Sequence, residues 1–411
     1  MNKLLFITTL LFAVASKLCA QDFEKYFEDR TLRIDYTFSG DYQKQQIFVD
    51  ELISIPHWYG KRQRLTEVPL KGNGQIIVRS AEDKRIIYRH SFSTLFQEWL
   101  STEESKHTPK SFENVFLVPY PKQLVDITVE LYDYHNRMNA TMTHNVDPQD
   151  ILIRKTSESQ TMPYITLQQA ADTSKCIHIA YVAEGYQQKE MDTFLEDCRI
   201  AMESLFVHEP FRQMKDRFNI VAVLSPSIDS GTSEPAKGIW KQTALDSHFN
   251  TFYSDRYLTT LHLKKLHNVL AGIPYEHIII LVNTDHYGGG GIYNSYNLTY
   301  THGKNFRPVV VHEFGHSFGG LGDEYPYGDD DPMYFADTEP WEANLTTKHD
   351  FKGKWEDLIS SGKAGFVEGG GYLTKGVWRG FENCRMRTNE EPEFCLVCQQ
   401  ALILLIDFYT K

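Results

Sequence analysis

Two histidines and a glutamate with the spacing of a metal site occur together at His312, Glu313 and His316. Four residues correspond to about 1.1 turns of an α-helix, so both imidazoles project from one face and can bind a single ion. Neutral imidazole is a preferred ligand of zinc. Glu313 directly follows the first histidine, which brings its carboxylate close enough to polarise a water molecule at the ion. This pattern is typical of metal-dependent peptide hydrolysis and requires a helix.

The flanking residues predict the helix that this chemistry needs. Pro308 suits a first helical turn. Val311, Phe314 and Phe318 follow at spacings of three and four, which places an apolar stripe opposite the histidines. The helix should then end, because three glycines occur within four residues: Gly319, Gly320 and Gly322. A sharp turn there lets a third ligand approach the ion, and Asp323 is the first side chain after it with a metal-binding atom.

The helix and its turn resemble the metzincin pattern, with one departure. In that pattern the third ligand follows the glycine by three positions, where this chain has Gly322, and the acid comes one residue later, at Asp323. The extra residue, with Glu324–Tyr325 behind it, resembles the IgA-peptidase family of zinc endopeptidases. The resemblance spans roughly residues 160 to 411, and some members carry an additional amino-terminal domain. Further matching motifs are Tyr287–Ile292 upstream and Asn383–Met386 and Phe394–Cys398 downstream.

The resemblance implies one catalytic zinc ion held by three side chains. The implied ligands are His312, His316 and Asp323. It makes Glu313 the general base and proton shuttle, and it makes Met386 the methionine of the turn beneath the metal. Glu324 is the alternative third ligand, and Asp323 is preferred because it lies nearer to the usual spacing.

The first twenty residues predict a secretory signal. Lys3 is followed by an apolar core, and Leu18–Ala20 ends in a small residue before Gln21. This core is too short for a transmembrane span, and no later apolar run approaches that length. We therefore expect export to the periplasm or the extracellular space, without a transmembrane segment. The net charge of −12, without basic clusters, argues against a nucleic-acid partner.

The chain is long enough for two domains after the signal. Alternating β-type runs separated by turns predict an all-β sandwich domain over residues 21–155, followed by a polar linker over 156–161. Mixed strand and helix patterns over 162–411 predict an α/β catalytic domain, which the resemblance makes metzincin-like. Its clearest predicted strands are 176–182, 218–224 and 277–282, and its clearest predicted helices are 189–206, 258–270 and 396–408.

Five cysteines follow the predicted signal, and three of them cluster near the carboxyl end. These three are Cys384, Cys395 and Cys398. A zinc ribbon would need a fourth ligand beside them, and the sequence offers no obvious one. In an oxidising compartment we therefore expect a disulfide between Cys384 and one member of the Cys395/Cys398 pair rather than a metal. The odd count leaves at least one free thiol.

A run of four glycines, residues 288–291, precedes the metal motif. It lacks the lysine and the following helix of a nucleotide-binding loop. We interpret it as a flexible lead-in to an edge strand over Ile292–Tyr296, with a plain structural hairpin as the alternative. An exposed edge can pair with an extended peptide through main-chain hydrogen bonds. Gly290, Gly291 and Ile292 are therefore candidate substrate-binding residues.

These features together predict a secreted zinc-dependent endopeptidase that acts on extracellular proteins. Immunoglobulin A and other host glycoproteins are candidate substrates, and the amino-terminal domain is a candidate unit for glycoprotein docking. One alternative is a hydrolase or amidase that uses the same zinc helix on cell-wall peptides. A second is a secreted protein that binds glycans or glycoproteins and carries a structural zinc. Glu313 argues against the second, because a structural site needs no general base.

Overall fold

The computed structural model describes residues 23–157, 161–328 and 333–411. The predicted signal, residues 1–20, lies outside the described residues, as do positions 158–160 of the predicted linker. Within the described ranges, no helix combines the length and the hydropathy that crossing a bilayer requires.

Residues 23–157 contain eight strands and, between the fourth and fifth of them, a short α-helix. The strands are β1 (Phe27–Gly40), β2 (Gln45–Pro56), β3 (Gly74–Ser80), β4 (Ile86–Phe92), β5 (Lys110–Pro121), β6 (Val125–Tyr132), β7 (Met138–Val146) and β8 (Arg154–Lys155), and the helix is α1 (Leu95–Trp99). They make two four-stranded sheets with the orders β5-β1-β2-β8 and β4-β3-β6-β7. All neighbours are antiparallel except the pair β2 and β8.

The two sheets bury their apolar faces in a common core. The rings of Phe92 on β4 and Phe116 on β5 lie 4.2 Å apart. A hydrogen bond of 2.7 Å joins the Tyr36 hydroxyl on β1 to Nε2 of His144 on β7. These contacts connect one sheet to the other, and the predicted β-rich character of this region is confirmed. The sequence did not reveal helix α1, whose first turn is capped by the Thr94 side chain.

A mixed six-stranded sheet forms the centre of the following region. Its strands are β9 (Tyr164–Gln168), β10 (Ile177–Glu184), β11 (Phe218–Val223), β12 (His277–Val282), β13 (Gly289–Ile292) and β14 (Tyr296–Tyr300). They lie in the order β13-β14-β12-β10-β11-β9. The four central strands are parallel, and the edge strands β13 and β9 run antiparallel to their neighbours.

Few helices accompany this sheet. They are α2 (Met191–Phe206), α3 (Leu263–Val269), α4 (Phe306–Ser317), α5 (Glu356–Ser360) and α6 (Leu396–Thr410). Helix α3 begins five residues later than predicted, because the backbone of Leu258 and Thr259 is extended and donates to Gly289 and His248 instead. A small fourth sheet contains β15 (Pro326–Gly328), β16 (Leu345–Thr346), β17 (Val367–Gly370) and β18 (Tyr372–Arg379).

Both faces of the six-stranded sheet are buried, which explains why its central strands are continuously apolar. On β12, Ile278 and Ile280 belong to the same core as the two amino-terminal sheets. Ile279 and Leu281 point to the other face and join a core that includes residues of α2, α4 and α6. The amino-terminal sheets and one face of the six-stranded sheet therefore share a continuous hydrophobic core.

Candidate metal centre and cleft

Helix α4 carries both histidines of the motif, and its sequence explains where it ends. Val310 and Phe314 anchor it in the core against the sheet. Gly320 has a φ of 57°, a left-handed conformation that a residue without a Cβ adopts easily. Its amide donates to the His316 carbonyl at 2.9 Å, which closes the last turn and sends the chain back towards the histidines.

The structure brings the three predicted ligands to one point. The Nε2 atoms of His312 and His316 lie 3.0 Å apart. Asp323 Oδ1 lies 3.1 Å from the first of these nitrogens and 3.2 Å from the second. Around a tetrahedral zinc ion with bonds of about 2.0–2.1 Å, such atoms stand about 3.3 Å apart. The observed separations therefore fit a zinc ion.

Backbone carbonyls set the tautomer of each imidazole. His312 Nδ1 lies 3.1 Å from the carbonyl oxygen of Arg385, and His316 Nδ1 lies 2.6 Å from that of Leu321. A carbonyl oxygen only accepts, so each Nδ1 carries a proton, and the Nε2 atom of each ring is left facing the other ring and Asp323. Such outer hydrogen bonds orient metal-binding histidines.

The charges of this group also favour a cation. Burial alone would raise the pKa of Asp323, but the two imidazoles, His316 above all, hold it well below its usual range. Burial alone would lower the pKa of His316, but the Asp323 carboxylate raises it to about 9. A positive charge among the three side chains is thus strongly favoured, and either a proton or a bound metal ion can supply it.

Asp323 and Glu324 are adjacent in sequence but face different surroundings. Asp323 points to the histidines, and its Oδ2 accepts a hydrogen bond of 2.5 Å from the Tyr372 hydroxyl. Glu324 points away from them and accepts from the side-chain amide of Asn344 at 2.9 Å. Asn344 also bonds both main-chain groups of Gly322, so it holds the turn on which Asp323 stands.

Met386 packs on helix α4 at Gly315, a residue that stands between the two histidines in the sequence. A Cβ added to Gly315 would stand 2.6 Å from the Met386 sulfur, so the side chain packs directly on that helical turn. The preceding residue, Arg385, supplies the carbonyl that orients His312. The segment therefore supports the histidines in two ways, by packing and by a hydrogen bond.

Glu313 lies on the same helix and faces strand β13. A Cβ added to Gly289 would come within 2.4 Å of Glu313 Oε1, and one added to Gly291 within 2.6 Å of the Glu313 carbonyl oxygen. Burial raises the pKa of the Glu313 carboxyl, although His312 and His316 oppose this shift. The glycine run thus allows an edge strand to approach the helix beside this carboxylate.

The interpretation of the glycine run as a lead-in to a strand was wrong. Gly289–Ile292 themselves form the edge strand β13, and the chain turns at residues 293–295, where a strand was expected. Strands β13 and β14 pair antiparallel across this turn, which is the hairpin that the sequence offered as the alternative. The close approach to helix α4 requires small residues in the strand, which outweighs their low strand propensity. Gly290, Gly291 and Ile292 all line the cleft, although the Ile292 side chain is itself buried.

Two family models match this chain. One, described as IgA Peptidase M64, matches residues 165–364, which include the histidine motif and Asp323. The other, described as Peptidase M64 N-terminus, matches residues 22–143. The chain belongs to the IgA peptidase M64 family. No curated protein matches it.

The M64 match confirms the family that the sequence resembled, over a shorter range than expected. It ends at residue 364. Tyr372, Met386 and the three carboxyl-terminal cysteines lie beyond it, although the first two support the metal motif directly.

The candidate centre lies in a cleft of about 660 Å³ that both M64 regions line. Glu98 of helix α1, in the amino-terminal region, reaches this cleft and accepts a hydrogen bond of 2.5 Å from the Tyr257 hydroxyl. Burial raises the pKa of Glu98 to about 7. Sequence reasoning found no site residue in this region, because no motif marks Glu98 and only the packing of the two regions places it here.

The cysteines of this M64 chain do not form the expected disulfide. All five described cysteines are free. The sulfurs of Cys384 and Cys398 lie 3.6 Å apart, well beyond the bond length of about 2.05 Å. Glu324, which the sequence offered as the alternative ligand beside His312 and His316, instead lies against these thiols.

Proposed function

We propose that this M64 family member is an exported zinc-dependent endopeptidase with a metzincin-like catalytic domain. The observation that carries the proposal is the convergence of His312, His316 and Asp323 at separations near 3.1 Å, beside the buried carboxylate of Glu313 and within an open cleft. We assign His312, His316 and Asp323 as the ligands of one catalytic zinc and Met386 as the residue beneath them. We also propose the domain boundaries predicted from sequence, with residues 162–411 as the catalytic domain.

When bound, zinc supplies a Lewis acid that activates water near neutral pH and stabilises negative charge on the scissile carbonyl oxygen. Glu313 takes the proton of the attacking water on a carboxylate oxygen and delivers it to the leaving amine. Its raised pKa suits this exchange, since the group must both accept and release a proton. Arg385 and Leu321 keep both imidazoles in the binding tautomer throughout.

Strand β13 provides a main-chain edge for an extended substrate. The amide of Tyr300 donates to the carbonyl of Gly288. Because main-chain hydrogen-bonding groups alternate along a strand, those of Gly290 and Ile292 point towards β14, and those of Gly289 and Gly291 point away from it. Leu258 already donates to the carbonyl of Gly289. The main-chain groups of Gly291, beside the metal helix, are therefore offered to a peptide.

The proposed substrates are extracellular proteins, in particular immunoglobulin A and other host glycoproteins. The predicted export and the family description, IgA Peptidase M64, favour this class. The amino-terminal region, which lines the cleft through Glu98, is proposed to dock such glycoproteins. Amino-terminal sequencing of the exported chain tests whether the predicted signal is removed, and we expect the mature chain to begin at Gln21.

The decisive experiment compares the wild type with Glu313→Gln. Glutamine preserves the shape but cannot take a proton, so zinc content should be retained while hydrolysis falls by a factor on the order of 10²–10⁴. Glu196→Gln, an exposed change on helix α2, is the matched control and should leave activity intact. Substrates should include immunoglobulin A, mucins, a denatured proteome and cell-wall muropeptides.

Each outcome of this comparison discriminates between functions. Undiminished cleavage by Glu313→Gln would remove Glu313 from the mechanism. Cleavage of muropeptides alone would favour a cell-wall hydrolase. A wild type that is inert towards every substrate but binds glycoproteins would favour the binding-protein alternative.

A further inference from the structure

We propose that Glu324, Cys384, Cys395 and Cys398 form a second metal site, a structural one for Zn²⁺, behind the candidate catalytic centre. One donor atom from each of the four side chains lies within 4.8 Å of all the others. Three thiolates and one carboxylate make a complete tetrahedral donor set for zinc. The proposal does not depend on the peptidase activity.

The distances fit a metal better than a disulfide. Cys384 Sγ and Cys398 Sγ lie 3.6 Å apart. Thiolate sulfurs bound to a tetrahedral zinc at about 2.3 Å stand about 3.8 Å from each other, whereas a disulfide requires about 2.05 Å. Glu324 Oε1 lies 3.1 Å from the Cys398 sulfur, so the carboxylate belongs to the same group of donors.

Local backbone structure presents the sulfurs towards one point. Cys395 directly precedes helix α6, and Cys398 lies in the first turn of that helix, where the helix dipole favours negative charge. The amides of Cys395 and Met386 point at the sulfur of Cys384, at 3.2 and 3.5 Å. Amide hydrogens directed at a sulfur stabilise the thiolate form that binds metals.

Glu324 supplies an independent indication that a cation belongs here. Its side chain is fully buried, and Oε2 has no hydrogen-bond partner among the described residues. Among the described residues, no lysine, arginine or histidine forms an ion pair with the Glu324 carboxylate. A buried carboxylate without a cation is costly unless a proton neutralises it, and a bound metal ion removes that cost, whereas a disulfide or hydrogen-bonded thiols would not.

The site is closed, which marks a structural role. Cys384, Cys398 and Glu324 are inaccessible to solvent and Cys395 is 8% exposed, so no open position remains for a substrate. The Glu324 amide also donates to the Met386 carbonyl at 2.9 Å. A metal bound here would therefore fasten helix α6 and the Met386 turn to the residue that follows Asp323.

Metal stoichiometry of the full chain tests the proposal. After loading with zinc and desalting, elemental analysis should find two ions per wild-type chain. Cys398→Ala and Cys395→Ala should each reduce this to one, as should His316→Ala at the first centre, and the Cys398→Ala/His316→Ala double variant should hold none. Cys198→Ala, a buried free cysteine outside the cluster, is the matched control and should retain two ions.

Cobalt spectra and thiol counts of the wild type decide the question even if the variants fail to fold. Cobalt-loaded protein should show sulfur-to-metal charge-transfer absorption, which the histidine and aspartate ligands of the first centre cannot produce. Thiol titration in denaturant with a chelator and without reductant should detect every cysteine of the chain. One zinc per wild-type chain, no charge-transfer band, or two thiols fewer than the cysteine count would overturn the proposal, the last in favour of a disulfide.

Discussion

The carboxylate of Glu98 accepts a hydrogen bond of 2.5 Å from the hydroxyl of Tyr257, which joins the amino-terminal region to the wall of the candidate catalytic cleft. The Tyr257 ring in turn packs on strand β13: a Cβ added to Gly290 would lie 2.6 Å from this ring. A residue of the amino-terminal region therefore supports the edge strand proposed to bind substrate. Four predictions test this and related contacts.

The first prediction concerns the pH dependence that Glu98 introduces. Burial raises its pKa from 4.5 to about 7. Between these two values the folded chain holds a proton that the unfolded chain has lost, so the contribution of Glu98 to stability falls as the pH rises and is constant above about 7. Glutamine cannot ionise. In chelator-treated protein, the Tm of Glu98→Gln should therefore rise relative to the wild type from pH 5 to pH 8.

Thermal unfolding of both proteins at several pH values measures this effect, with the exposed Glu196→Gln as control. A Tm difference between wild type and Glu98→Gln that is independent of pH would show that Glu98 titrates normally.

The second prediction concerns the close contact between strand β13 and the proposed general base. Gly289→Ala would place a methyl group within 2.4 Å of Glu313 Oε1, so the carboxylate or the strand must move. Displacing a catalytic group by about 1 Å costs on the order of 10²-fold in rate. We expect kcat to fall by that factor while zinc content is unchanged. Gly365→Ala, where nothing lies within 4 Å of the added atom, is the matched control. Full activity of Gly289→Ala would contradict the proposed role of this contact.

The third prediction concerns the hydroxyl of Tyr372, which donates to Asp323 Oδ2 at 2.5 Å. Tyr372→Phe removes the hydroxyl that donates to this oxygen, so zinc affinity at the candidate catalytic centre should fall about 10–100-fold. Competition with a chelator measures this affinity, and Tyr42→Phe, an exposed tyrosine, should leave it unchanged. Unaltered affinity in Tyr372→Phe would indicate that Asp323 does not depend on this bond for its position.

The fourth prediction concerns the dependence of the catalytic region on the amino-terminal sheets. Arg33, which is 1% exposed, donates to the side chain of Asn268 and to the carbonyl of Lys264, and both regions share one core. A fragment beginning at Thr161 would expose one apolar face of the six-stranded sheet, so it should aggregate or bind hydrophobic dyes. Size-exclusion chromatography and circular dichroism check this. A monomeric, folded fragment that binds zinc would show instead that the two regions fold independently.

Much of the architecture follows from local sequence patterns. The strands β10, β11 and β12 and the helices α2 and α6 lie close to their predicted positions. Apolar runs and helical spacing depend on neighbouring residues alone, so they can be recognised without knowledge of the fold. The helix α3 was overestimated because Leu258 and Thr259 bond to distant segments, which local spacing cannot show.

The sequence by itself determined that His312 and His316 share a helical face, with Glu313 beside them and a glycine turn after them. Those relations are set by the geometry of one helix. Only the tertiary structure decided that Asp323 rather than Glu324 points at the histidines and that the Glu324 side chain lies beside those of three cysteines. It also decided that Glu98 reaches the cleft. These groups come from segments far apart in the chain, and packing of the whole core, rather than spacing along it, sets the distances between them.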